Sequence, residues 1–317
     1  MSGRNMRGAI NFTGRAQFLG GVSGVIPERG PGKTFFVNTV SGGVGSDGNL
    51  PGTNPDKPLA KISTALGLCT AGANDYVVVL NGWDNDAATI EVAKSCVHII
   101  GVNGCNHRAP WVWLKINGDG SAAVFTLQGS NAANVEIAGF TLSADSSHPC
   151  ITTKTGGSTE LVYAHIHHCT FGASLDAANI AQDGILLAAD TGLDGTLIED
   201  CTFGDEITRD GIRFTNLYQG LIRNCLFSNC GVIAIDAITG GAATGMPDVI
   251  SNKFRAVHDK SEGWAITTIA SGGALITDNQ ATADFATGGN NPYLDHADLN
   301  QWGVNWTWNA VAAPATT

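Results

Sequence analysis

Charged side chains are scarce in this sequence: Asp, Glu, Lys and Arg together make up 14 %, against roughly 25 % in an ordinary soluble protein. Neutral and hydroxyl-bearing groups must therefore supply most of the surface. No Cys-x-x-Cys pair occurs among the eight cysteines, which excludes a zinc ribbon. No apolar run approaches the ~18 residues that span a bilayer. Residues 1–20 also lack the unbroken apolar stretch of a secretory signal, so neither membrane insertion nor export by the usual route is expected. Positive charge is in deficit too. The net charge of -11 sets the body against nucleic acid and anionic membrane as partners. No helical period of 10 to 15 residues separates the apolar segments, which argues against a helical bundle or an alternating α/β sheet.

What is present is glycine, 41 residues in a chain of 317, with no Gly-X-Y period. That points to many tight turns. The charge is unevenly placed. Residues 1–33 hold Arg4, Arg7, Arg15, Arg29 and Lys33 against Glu28 alone, a balance of +4, whereas residues 34–317 hold 12 basic and 27 acidic side chains, a balance of -15. The first segment has eight glycines and no strand or helix periodicity, and reads as an extended basic arm that needs a partner to order it.

After the arm come an apolar run, Phe35-Phe36-Val37, a loop rich in Gly, Asp, Asn and Pro, and a stretch in which Leu59, Ile62 and Leu66 have helical spacing. Pro58 suits a first helical turn, so a short capping helix is expected at about 58–69. From there a repeat dominates. Six segments follow the pattern apolar-x-x-(Cys/Phe/Asn)-x-apolar, starting at Ile137, Ile166, Ile198, Ile222, Val249 and Ile276. Between them lies a second apolar strand, centred on Ile151, Ile185, Ile212, Ile235 and Ile266. Short strands recurring about every 24 to 32 residues require a solenoid, because one coil cannot bury its inner face alone. A propeller would need about 40 to 45 residues per blade. The fold expected is all-β, a right-handed parallel β-helix over residues 34–290, with an aromatic C-terminal segment over 291–317.

The opening of the body, Phe35-Phe36-Val37, the loop to Lys57, Pro58-Leu59-Ala60-Lys61-Ile62-Ser63-Thr64-Ala65-Leu66 and Asp75-Tyr76-Val77-Val78-Val79-Leu80-Asn81-Gly82, resembles phage and bacterial parallel β-helix repeat proteins of the pectin-lyase-like superfamily. That resemblance implies the fold and a virion-type protein. It brings no catalytic motif to transfer, since the superfamily holds lyases, hydrolases, adhesins and inert virion parts.

Four groups of residues are candidates for function. Cys169, Cys201 and Cys225 share one repeat position and would stack as a ladder of buried thiols. His165 and His167 project to one side of a strand, where two imidazoles would hold an ion; no carboxylate at fixed spacing completes the set, so a solvated face and no metal is expected. Asp183 and Asp210 occupy matching positions in adjacent coils and are the candidates for the acid pair of glycoside hydrolysis, with Asp-Gly turn chemistry as the competing role. A lyase would need a base from Arg209, Arg213 or Arg223. Tyr293, Trp302, Trp306 and Trp308 crowd the C-terminal segment and are expected to bury against the last coil or a neighbouring subunit.

The reading that joins these features is a non-enzymatic virion surface protein, a capsid decoration or vertex protein. It would be assembled in the host cytoplasm as a homotrimer, without cofactor, and bound to capsid or other virion proteins through Arg4, Arg7, Arg15, Arg29 and Lys33. The alternative is a tailspike or receptor-binding β-helix that binds or cleaves a host glycan.

Overall fold

The computed structural model describes residues 32–40, 43–81, 89–102, 112–115, 123–144, 147–154, 161–172, 181–187, 193–204, 207–215, 217–228, 230–237, 247–255, 264–268, 274–281, 292–295, 300–307, 310–311 and 315–316. Short strands wind through three stacked sheets of ten, nine and nine strands, with a three-stranded sheet at one corner. Among the described residues every strand pairing is parallel except that of Trp306–Thr307 with Ala310–Val311. The chain is a parallel β-helix.

One coil shows the path. Glu136–Ala138 lies in the first sheet, Phe140–Ser143 in the second and Ile151–Thr153 in the third. The recurring apolar positions fall into register. Ile137 pairs with Ile166, Ile166 with Ile198, Ile198 with Ile222, Ile222 with Val249, and Val249 with Ile276. All are buried, because on a strand the residue between two outward side chains points inward. The series extends beyond the six segments, backwards to Ile99 and Val77 and forwards to Trp302. Residues after 290 thus continue the coils: Tyr293–Asp295, Gln301–Trp302 and Trp306–Thr307 each add a strand to a different sheet.

Like stacks on like inside the spiral. Phe171, Phe203, Phe227 and Phe254 form a file with ring centroids 4.7, 4.6 and 5.0 Å apart and planes within 14° of parallel. Each such contact is worth about 0.5–1.5 kcal/mol beyond the area it buries. Beside it run the expected thiols, where Cys201 approaches the Ile166 carbonyl of the preceding coil at 3.8 Å. From Asn252 onward asparagine takes over the position. Asn252, Asn279 and Asn305 each donate an amide hydrogen to the preceding coil's carbonyl, those of Ile222, Val249 and Ile276, at 3.0, 2.8 and 2.9 Å.

The chain turns each corner before this ladder at a left-handed residue: Gly139, His168, Asp200, Asn224, Ser251 and Asp278 have φ between 52° and 77°. Short polar side chains and glycine tolerate this region best, which is why the corners carry Asp, Asn and Ser.

The capping helix, α1, spans Ile62–Leu68, with Ile62, Ala65 and Leu66 buried. It packs on Thr34–Asn38, Asp75–Asn81 and Ile90–Val92, at the start of the solenoid. Pro58 is not in its first turn, contrary to expectation. Leu59 instead accepts from the Asn38 amide at 2.9 Å and donates to Phe36 at 2.8 Å. Its backbone therefore pairs the free edge of Thr34–Asn38, and the helix begins only after that edge is satisfied. Among the described residues no helix is long and apolar enough to cross a membrane.

Candidate functional site

The outer face of the first sheet is not uniformly wet. Around its early strands Tyr76, Val78, Ile100 and Ala138 form a second buried apolar cluster. Next to it the same face turns polar without becoming exposed. Glu136 and His167 are buried, and so is His98. Parallel register sets His98 beside Glu136 and Glu136 beside His165, in three successive coils.

Glu136 is the centre of the group. His98 Nδ1 donates to its Oε2 at 2.5 Å and His167 Nε2 to its Oε1 at 2.8 Å. Burial pushes the Glu136 carboxyl up, and the hydrogen bonds from His167 and His98 more than reverse this, holding it at about 2. A carboxylate accepts only, so the two imidazoles are the donors. His167 Nδ1 lies 2.7 Å from His168 Nδ1, and the rings of His165 and His167 stack at 4.1 Å. Tyr76 stacks on His98 from the other side at 4.4 Å. His165 Nε2 meets Glu199 Oε1 at 2.8 Å, and Arg223 Nε donates to Glu199 Oε2 at 2.7 Å. Burial and the neighbouring His167 hold the His165 pKa below that of a free imidazole, against Glu199.

This corrects the expectation of a solvated face with no completing carboxylate. The carboxylate comes from the preceding coil, and Glu136, His165 and His167 bring one ligand atom each within 4.8 Å of one another. Aligning the repeats column by column sets Glu136 next to His165. His98 precedes the first recognised repeat, and only its place beside the inward Ile99 marks it.

The acid pair lies elsewhere, at the entry to the third sheet. Asp183 and Asp210 are buried and occupy matching positions, since Ile185 pairs with Ile212. Arg209 clasps both oxygens of Asp183, with Nε donating to Oδ1 at 2.7 Å. The Asp210 amide also donates to Asp183 Oδ1, at 3.3 Å, and the Ile233 amide to Asp210 Oδ1 at 3.1 Å. Each carboxylate thus bonds the amide of the following coil, where Asp-Gly turn chemistry predicts a cap on a local amide. Beyond them Arg213 lies 3.3 Å from Asp236, which accepts from Thr267 Oγ1 at 2.7 Å. Burial, with the charges of Asp236 and Asp183, pushes the Asp210 carboxyl up to about 7, against Arg213 and Arg209.

Glu199 and Asp200 are not part of this group; they belong to the first sheet and the corner after it. The candidate lyase bases Arg209, Arg213 and Arg223 are all ion-paired to carboxylates. Of the arm's basic residues, only Lys33 falls among the described residues, its backbone amide donating to Asp75 Oδ1 at 2.6 Å. Arg4, Arg7, Arg15 and Arg29 lie outside them, as does Trp308. Tyr293 is buried, its hydroxyl near the carbonyls of Asn279 and Trp306, whereas Trp306 is 48 % exposed. Trp302 is half-buried and packs against the core.

No protein-family model matches this chain, and no curated protein does. A solved structure, an alginate lyase from Paenibacillus sp. str. FPU-7, is similar at a TM-score of 0.46 and 14 % identity, over 79 % of this chain and 93 % of that one. A likeness that distant does not bear on activity.

Proposed function

We propose that this protein is a non-enzymatic virion component, a capsid decoration or vertex protein whose basic N-terminal arm lies on an assembled partner surface while the β-helix projects from it. The observation that carries this reading is what the paired charges do. Asp183, Arg209, Asp210, Arg213, Asp236 and Thr267 form one chain of hydrogen bonds and ion pairs running from coil to coil, and His165, Glu199 and Arg223 form another. Groups held this way stiffen a rod. The arm supplies the complement, a +4 segment ahead of a -15 body. Deleting residues 1–33 should abolish incorporation into particles while leaving the circular dichroism of the body unchanged. Unchanged incorporation would defeat the proposal.

One observation favours a second reading, a β-helix that cleaves host polysaccharide. Glycoside hydrolysis needs a carboxyl that is neutral near neutrality beside a second carboxylate. Asp210, pushed up to about 7 next to Asp183, has that character. On this reading Asp183→Asn and Asp210→Asn would each abolish the release of reducing ends from capsular polysaccharide. On the structural reading the wild-type protein releases none.

A further inference from the structure

The polar group on the outer face of the first sheet is larger than stitching requires. Stitching two coils takes one pair of side chains, whereas here Glu136, His165 and His167 converge, and each is held from behind by a different neighbour. Glu136 Oε2 is held by His98, His165 Nε2 by Glu199 with Arg223 behind it, and His167 Nδ1 by His168. The remaining ligand atoms are Glu136 Oε1 and His167 Nε2, which now bond each other at 2.8 Å, and the second ring nitrogen of His165. Side chains that bind metals are oriented in this way, the remote atom fixed by a carboxylate or a second polar group and the near atom left for the ion.

We propose that Glu136, His165 and His167 form a binding site for one divalent transition-metal cation, with Zn2+ as its representative. Two imidazole nitrogens and one carboxylate oxygen suit Zn2+, Co2+, Ni2+ or Fe2+, and disfavour Ca2+ and Mg2+, which take oxygen donors. One ligand atom from each of the three residues lies within 4.8 Å of the others. Around a tetrahedral ion, with bonds of about 2.0–2.2 Å, they would stand roughly 3.3 Å apart. The shift is within the reach of side-chain rotation. His167 Nε2 and Glu136 Oε1 move apart from 2.8 Å; the His167 proton passes to Nδ1 and is donated to His168 Nδ1, whose own proton shifts to its Nε2. The ion then takes the place of a single hydrogen bond and ties Glu136–Ala138 to His165–His167.

The test uses the full-length chain, stripped with a chelator, freed of the chelator and titrated with Zn2+ alone by calorimetry. One ion per chain should bind with a dissociation constant of about 1 µM or tighter, and saturation should raise the melting temperature. His167→Gln and His165→Gln should weaken binding about 10- to 100-fold, while His148→Gln should leave it unchanged. Circular dichroism of the stripped variants establishes that they fold. Co2+ in place of Zn2+ gives an independent reading on the wild type, visible bands of a low-coordinate nitrogen and oxygen site. Absence of stoichiometric Zn2+ uptake would overturn the proposal. So would equal affinity in folded His165→Gln and His167→Gln, or a Co2+ spectrum dominated by thiolate charge transfer, which would place the ion on a cysteine.

Discussion

Asn252 occupies the position of Cys225 one coil on, and its Oδ1 accepts the Cys225 amide at 2.9 Å while its Nδ2 donates to Ile222 at 3.0 Å. A thiol at this position lies farther from the preceding coil's carbonyl, as Cys225 does from Ile198 at 3.9 Å, and donates instead to the carbonyl two residues back, that of Arg223, at 3.3 Å. The two residue types fill the same space with different bonding. Asn252→Ala should therefore cost about 2–4 kcal/mol, leaving a buried amide and a buried carbonyl unsatisfied as well as a void. Cys201→Ala should cost less, about 1–2 kcal/mol, since it removes mainly volume. Urea unfolding of both variants compares them directly, and equal losses would mean that the asparagine bonds contribute nothing.

The phenylalanine file should be sensitive to truncation at its middle. Phe203 stacks on Phe171 and on Phe227, so Phe203→Ala removes two ring contacts. A loss of about 3–5 kcal/mol is expected, and Phe203→Leu should recover much of it.

Gly101 and Gly139 let two coils approach at a corner. A Cβ on Gly139 would lie 2.3 Å from the Gly101 carbonyl oxygen, and φ there is +77°. Gly139→Ala should lower stability by more than the ~1 kcal/mol of an ordinary left-handed alanine, because backbone has to move. A melting temperature equal to wild type would show that the corner yields freely.

Acid titration should separate the two charged groups. Asp210, raised to about 7, keeps its proton in the folded state where the unfolded chain has lost it, so its neutral form stabilises the fold at low pH. That contribution fades as pH rises from about 4 to 7. Asp210→Asn keeps the neutral shape. At pH 8 it should be more stable than wild type by up to a few kcal/mol, since each tenfold change in proton affinity between the folded and unfolded chain is worth roughly 1.4 kcal/mol. At pH 4 the two should melt together. Glu136, lowered to about 2, acts with the opposite sign. Its contribution is present above the usual carboxylate range and is lost as pH falls from about 4.5 towards 2.

The described cysteines are free thiols, mostly buried. Burial pushes Cys69 and Cys150 up to about 12 and raises Cys201. Alkylation of the native protein at pH 8 should be slow at these three sites and fast after denaturation.

Much of the fold was legible because stacking repeats the same demand in every coil. Ile166, Ile198 and Ile222 face inward at the same point, so the sequence returns to the same residue type, and the period reveals the architecture. Cys201 and Asn252 were legible for the same reason. What did not recur was harder to see. Glu136 and His98 meet His167 only through strand register, across coils whose intervening loops differ in length, and no local pattern joins them. α1 begins later than the helical spacing implies because Leu59 answers to the edge of Thr34–Asn38, a tertiary demand that overrides that spacing. Asp183 and Asp210 are legible as a pair from their matching repeat positions, but their bonds to the next coil's amides follow from stacking geometry rather than from the Asp-Gly dipeptide.

A passive shell component must be fastened to its particle, and the place of residues 1–33 in that particle decides between the two functional readings. An electron cryo-microscopy map of the assembled particle should show continuous density for the arm, laid across coat subunits at the base of a projecting β-helix. Density placing the body on a tail fibre, with the arm free and a polysaccharide lying over Asp183 and Asp210, would contradict a decoration role.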